Sequence, residues 1–175
     1  AVHMCGQSPD MARISALARA HGICLIEDAS HTIGADYLGV PVGNCAYSDI
    51  TVFSFHPVKI ITTGEGGVAL TNDPHLAARM ERLRSHGITR DEKLMEGESD
   101  GPWYYQQLEL GLNYRITDIQ AALGLSQLNR LDAFVERRRE IADVYDMAFQ
   151  NLAVDLPGRL PQAESSWHLY VIRLQ

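Results

Sequence analysis

A chain of 175 residues with 46% hydrophobic and 21% charged content is long and apolar enough for one domain with a substantial core, which excludes a disordered tail. Its 15 basic against 22 acidic residues leave a net charge of −7, and the one basic run is the short "ERRRE" on a helix, so nucleic acid is excluded as the main partner. No apolar run approaches the roughly 18 residues of a membrane span and no signal peptide is evident, while Cys5, Cys24 and Cys45 lack the pairing of a disulfide framework or zinc site; a reducing cytoplasm fits.

The first half alternates between helix and strand. "SPDMARISALARAHG" predicts a helix with Ser8 as N-cap, Pro9 at the first helical position and Gly22 at the stop. It feeds "ICLIED", a continuous apolar run that reads as a central strand covered on both faces, with Glu27 and Asp28 at its carboxyl end, where open α/β sheets place their ligand sites. Two further strand patterns, Ile50 to Phe55 and Val68 to Thr71, flank Lys59 and the glycine turn "TGEGG". "NDPHLAARMERLRSHG" repeats the helix formula, with Asp73 as cap, Pro74 at the start and Gly87 at the stop. "ITRDEKLMEGESDG" has no apolar period and reads as a mobile loop.

From Thr117 a helical pattern runs through "TDIQAALGLSQLNRLDAFVERRREIADVYDMAFQNL", with a break expected between Asn129 and Asp132 because an uninterrupted helix of this length is uncommon in a globular domain. Pro157 to Pro161 reads as a linker, and "SSWHLYVIRLQ" as a strand.

Lys59 at a strand rim is either a solvated loop charge or a placed amine. A desolvated lysine attacks carbonyls, and its commonest cofactor use is a Schiff base with pyridoxal phosphate, which also needs an acid for its pyridine nitrogen. Asp28 and Lys59 supply both groups, and the alternative is two solvated rim charges. Ser54, His56 and Asp28 could form a hydrolase triad, but the G-x-S-x-G elbow is missing. "TGEGG" lacks the G-K-[ST] of a phosphate-binding P-loop and reads as a turn.

"EDASHTIGADYLGVPVG", "SDITVFSFHPVKIITTGEGGVALTND", "LRSHGI" and "LGLNYRITDIQAALGLSQLNRLDAFVERRREIADVYDMAF" together resemble the DegT/StrS-type sugar aminotransferases, which are pyridoxal-phosphate enzymes of fold type I. Within that family, "FSFHPVKIITTGEGG", "RSHGI", "LGLNYR" and "QLNRLDAFVERR" most resemble the UDP-4-keto-sugar aminotransferases of the pseudaminic acid pathway. The resemblance implies an α/β fragment of the large domain, a mixed and mainly parallel sheet with flanking helices. Residues 1–150 would be the C-terminal part of that cofactor-binding domain, including the long interface helix, and 151–175 the start of a small C-terminal domain.

The resemblance also implies roles. Lys59 matches the lysine that attaches the cofactor and moves protons, Asp28 the carboxylate on the pyridine nitrogen, and His31 the side chain against the cofactor ring or its phenolic oxygen. Ser54 matches a hydroxyl on the cofactor phosphate, and Asn113 an amide reaching that phosphate from the neighbouring subunit of a homodimer. The implied reaction takes an amino group from glutamate to C4 of a UDP-linked 4-keto-6-deoxy-N-acetylhexosamine. The alternatives are a dTDP- or GDP-linked keto sugar, or a non-catalytic sugar-nucleotide-binding relative. Family members are about twice this length, so the chain is expected to be a fragment that is inactive alone.

Overall fold

A computed structural model describes residues 1–175. In chain order the elements are α1 (Met11–Ala20), β1 (Ile26–Asp28), β2 (Asp36–Tyr37), β3 (Val40–Pro41), β4 (Ile50–Ser54) and β5 (Gly67–Leu70). They continue with α2 (Pro74–Leu83), β6 (Ile88–Thr89), β7 (Gln106–Gln107), α3 (Asp118–Leu128), α4 (Leu131–Phe149), β8 (Val154–Asp155), β9 (Ala163–Glu164) and β10 (Arg173–Leu174). Two compact units form, one from residues 1–72 with 118–175 and one from 73–117. No helix is long and apolar enough to cross a membrane.

In the larger unit, Asp10 and not Ser8 caps α1. Its carboxylate accepts the Arg13 N–H at 3.2 Å and the Tyr37 hydroxyl at 2.9 Å. Ser8 is buried and its hydroxyl donates to the Pro9 carbonyl, which removes it as a cap. β1 is shorter than the apolar run suggests, because the Asp49 carboxylate takes the Leu25 N–H at 2.7 Å just before the ladder begins. Its side chains alternate, with Glu27 buried and Ile26 and Asp28 exposed, so within this chain the strand is covered on one face only.

β1 runs parallel to β4, with Asp28 opposite Val52, and β5 returns antiparallel, with Gly67 opposite Ser54. Thr51 and Phe53 of β4 point into the core, and the Phe53 ring closes over Gly43, where a Cβ would lie 2.6 Å from the ring. The parallel pair puts the carboxyl ends of β1 and β4 side by side. Residues Asp28 and Ser54 therefore open on the same edge of the sheet.

The long C-terminal helical pattern breaks at Asn129 and Arg130, as its length suggested. "SSWHLYVIRLQ" departs from expectation, since only Arg173–Leu174 forms a ladder, with β8. Two local captures explain this. The Arg138 guanidinium of α4 donates to the Trp167 and His168 carbonyls at 3.0 and 3.3 Å, and Trp167 sits at φ +51°, outside extended geometry.

The smaller unit holds α2, capped by Asp73 with Pro74 in the first turn, as its sequence formula predicts. The polar stretch after it, residues 88–101, is not wholly irregular: it opens with β6, paired antiparallel with β7, and makes a 3₁₀ turn at Glu92–Leu94. Asn113 bridges Ser85, flanked by hydrogen bonds from the His86 and Tyr114 N–H groups to the Leu112 and Arg84 carbonyls at 2.8 and 2.9 Å.

Candidate active site

Lys59 rides on the excursion between β4 and β5. The neck of this loop is tied by the Phe55 N–H to the Gly66 carbonyl at 2.8 Å and by the Thr63 N–H to the Phe55 carbonyl at 3.0 Å. A turn closed by the Lys59 N–H on the His56 carbonyl, at 2.9 Å, presents the lysine, and the buried Ile60 and Ile61 anchor it from below. Gly64 at φ +81° lets the chain reverse, so "TGEGG" is the turn its composition implied. From α3, Gln120 donates to the Glu65 carbonyl at 2.9 Å and Gly124 lies against Thr63, so the helix braces the loop.

Asp28 stands at the end of β1 with its carboxylate accepting the Ser30 N–H at 3.1 Å. Hydrogen bonding from the Ser30 side chain, opposed by burial and reinforced by the Ser30 N–H and by nearby His31 and Lys59, holds its pKa below the ordinary carboxylate value. Asp28 is therefore anionic at neutral pH and open on the side facing away from the sheet. The Lys59 charge also reaches His31 and His168. The structure thus brings Asp28, His31 and Lys59 into one electrostatic cluster.

His168 is a member of that cluster which sequence reasoning missed. Its ring packs on His31 with centroids 4.4 Å apart and planes 35° from parallel. Burial, with the nearby charges of His31, Lys59 and Arg138, pushes its pKa down to about 4, so it is neutral under ordinary conditions. The contact spans most of the chain and rests on a segment without periodic pattern. The one sequence signal was a polar imidazole inside an apolar run, "WHLYVI".

Beneath the cluster, Glu27 points to the opposite face of β1 and is almost wholly buried. It accepts hydrogen bonds from Ser48 and from the Thr51 hydroxyl, the latter at 3.2 Å. His3 Nε2 lies 2.9 Å from its other oxygen, an ion-pair distance without hydrogen-bond alignment. Burial raises the Glu27 pKa, but the His3, Ser48 and Thr51 contacts outweigh it and the net shift is downward. The His3 main chain continues the link, donating to the Asp28 carbonyl at 3.0 Å.

Ser54 ends β4 with its oxygen accepting the His56 N–H at 3.4 Å. The His56 ring is engaged elsewhere, its Nδ1 with the Val58 N–H at 3.3 Å and its Nε2 3.9 Å from Glu65. That orientation gives a Ser54–His56 triad no support. Asn113, exposed, belongs to the smaller unit.

A mixed sheet flanked by helices, with Asp28 ending β1 and Lys59 on the loop that follows β4, matches part of the large domain of fold type I pyridoxal-phosphate enzymes. The family model of the DegT/DnrJ/EryC1/StrS aminotransferases matches residues 1–175, and the chain belongs to that family. It is similar to the UDP-4-amino-4,6-dideoxy-N-acetyl-β-L-altrosamine transaminase of Campylobacter jejuni, 42% identical over 170 residues, which are 97% of this chain and 42% of that protein. Among solved structures it matches Helicobacter pylori PseC, an aminotransferase involved in the biosynthesis of pseudoaminic acid, with a TM-score of 0.87 and 34% identity, covering 99% of this chain and 44% of that one. Spr1654 of Streptococcus pneumoniae, solved in a PLP form, matches with a TM-score of 0.84 and 30% identity, covering 99% and 47%. The chain spans less than half the length of these relatives.

Proposed function

We propose that the complete protein is a cytoplasmic, homodimeric, pyridoxal-phosphate-dependent aminotransferase moving an amino group from glutamate to C4 of a UDP-linked 4-keto-6-deoxy-N-acetylhexosamine. The observation that carries the reading is the placement of ionised Asp28 and of Lys59 in one cluster at the sheet's carboxyl edge. The substrate class is supported by the names of the Campylobacter jejuni and Helicobacter pylori relatives. Residues 1–150 would be the C-terminal part of the cofactor-binding domain and 151–175 the start of the small domain.

The chain's own groups fit the cofactor. A pyridine nitrogen keeps its proton beside a permanent anion, and Asp28 is held ionised and open to a ligand. Bound there, the cofactor supplies an electron sink that makes the donor's α-proton acidic. Lys59 would attach the cofactor and then, once released, carry a proton between substrate carbon and cofactor as general base and acid. His31 would lie against the ring, Ser54 would donate to the phosphate, and Asn113 would reach the phosphate of the partner subunit's site.

The test supplies the complete enzyme with glutamate and UDP-, dTDP- and GDP-linked 4-keto-6-deoxy sugars, and reads the product by NMR. The reading predicts amination at C4 of the UDP-linked N-acetylhexosamine in preference to the others. Preferred turnover of a dTDP- or GDP-linked sugar would overturn the substrate assignment, and no amination of any keto sugar would overturn the activity.

A further inference from the structure

Three segments far apart in sequence close around His31. The Cys5 N–H, in a turn where Cys5 itself sits at φ +61°, donates to His31 Nδ1 at 3.4 Å. The Ser166 hydroxyl reaches the His31 carbonyl at 3.3 Å, and the Ser166 and Leu169 N–H groups bind the Gly6 and Cys5 carbonyls at 2.9 and 3.1 Å. The His168 ring covers the His31 ring, and Arg138 fixes the backbone on which His168 rides. Gly6 allows the close approach, since a Cβ there would stand 2.7 Å from the backbone nitrogens of both Trp167 and His168.

We propose that the 4–6 turn and the 165–169 segment lock His31 into one orientation and one tautomer, with Nδ1 accepting and Nε2–H presented as a donor, and that His168 is the positioning residue behind it. The chemistry follows from the two nitrogens. A neutral imidazole has one donor and one acceptor, and an N–H aimed at Nδ1 commits that nitrogen as the acceptor. The proton then belongs on Nε2.

Other groups keep the ring neutral. Burial and the Lys59 charge lower the His31 pKa while Asp28 opposes them, and His168 adds bulk without charge because it is itself neutral. A cationic His31 would place a second donor against the Cys5 amide. The clamp therefore disfavours protonation by geometry as well as by desolvation. A fixed Nε2–H donor suits an acceptor oxygen on a bound ligand, and its use toward the cofactor's phenolic oxygen rests on the function proposed above.

The test is NMR of the complete, cofactor-free enzyme with ¹³C-labelled histidine imidazoles, the His31 signals being assigned by their loss in His31→Gln. Wild type should show the Nε2–H tautomer and titrate below the ordinary histidine range. His168→Phe, which keeps an aromatic ring on His31, should preserve both properties, whereas His168→Ala should lose the single tautomer and titrate higher. Affinity for pyridoxal 5′-phosphate, followed by its visible absorbance, should fall roughly tenfold in His168→Ala, the scale typical of a group that orients a ligand-contacting residue, and hold in His168→Phe. An Nδ1–H tautomer in wild type, or a His168→Ala protein unchanged in tautomer and titration, overturns the proposal. If His168→Ala does not fold, wild type and His168→Phe decide it alone. Because the NMR needs no cofactor, a failure of the cofactor assignment would leave this result standing.

Discussion

In the proposed site, Asp28 would supply the fixed negative charge. Its pKa lies below 3.8, the ordinary value, chiefly through the Ser30 contact, so the carboxylate stays charged across the working range and protonates only in stronger acid. Asp28→Asn keeps the shape and removes the charge. In the complete enzyme turnover should fall about 10²- to 10³-fold, the usual cost of losing one preorganised electrostatic partner, while part of the cofactor stays bound; near-normal steady-state turnover would refute the role. Asp28 and Lys59 can be singled out from the sequence because Asp28 closes one strand pattern and Lys59 follows another, near the edge where α/β sheets hold ligands. His168 cannot, since its meaning lies in a stacking contact with His31 that no local pattern encodes.

At the scale of elements, the site depends on what lies under β1. Glu27 is a buried carboxylate paired with a buried imidazole, and removing one member of such a pair commonly costs about 3 to 5 kcal/mol. Glu27→Ala should destabilise the complete protein on that scale in urea unfolding. The pH dependence has a definite sign. Because the folded pKa of Glu27 lies below its ordinary 4.5, its contribution is fully present above that value and is lost as pH falls through the folded pKa, so Glu27→Gln should flatten the stability curve below about pH 4.5. Gly6→Ala would put a side chain at φ +109° against the 167–168 backbone, and left-handed strain alone costs about 1 to 3 kcal/mol. Differential scanning calorimetry should show a lowered Tm. The capped start of α2 and the break between α3 and α4 were legible because each depends on local chemistry, a cap with proline and a length limit. The strand expected in "SSWHLYVIRLQ" failed because Arg138, from a different element, captures the carbonyls a ladder would use.

For the whole molecule, several large apolar side chains between residues 108 and 125 are open within this chain. Leu110 is 89% exposed, Tyr114 74% and Ile119 86%. We propose a dimer with reciprocal sites, in which Asn113 serves the partner's cofactor, because a two-fold interface repeats every contact. Lys59→Ala and Asn113→Ala homodimers should each be impaired, and a mixed dimer rebuilds one intact site, returning at most about half the wild-type activity per dimer. Confirmed subunit exchange without recovered activity would confine Asn113 to its own chain's site or to none. The attachment point of the cofactor tests the central claim most directly. Lys59 and Lys93 are the two lysines of this chain, so borohydride reduction of the complete holoenzyme followed by peptide mapping separates them cleanly. The cofactor adduct should fall on Lys59; an adduct on Lys93, or on a lysine elsewhere in the complete protein, would contradict the account.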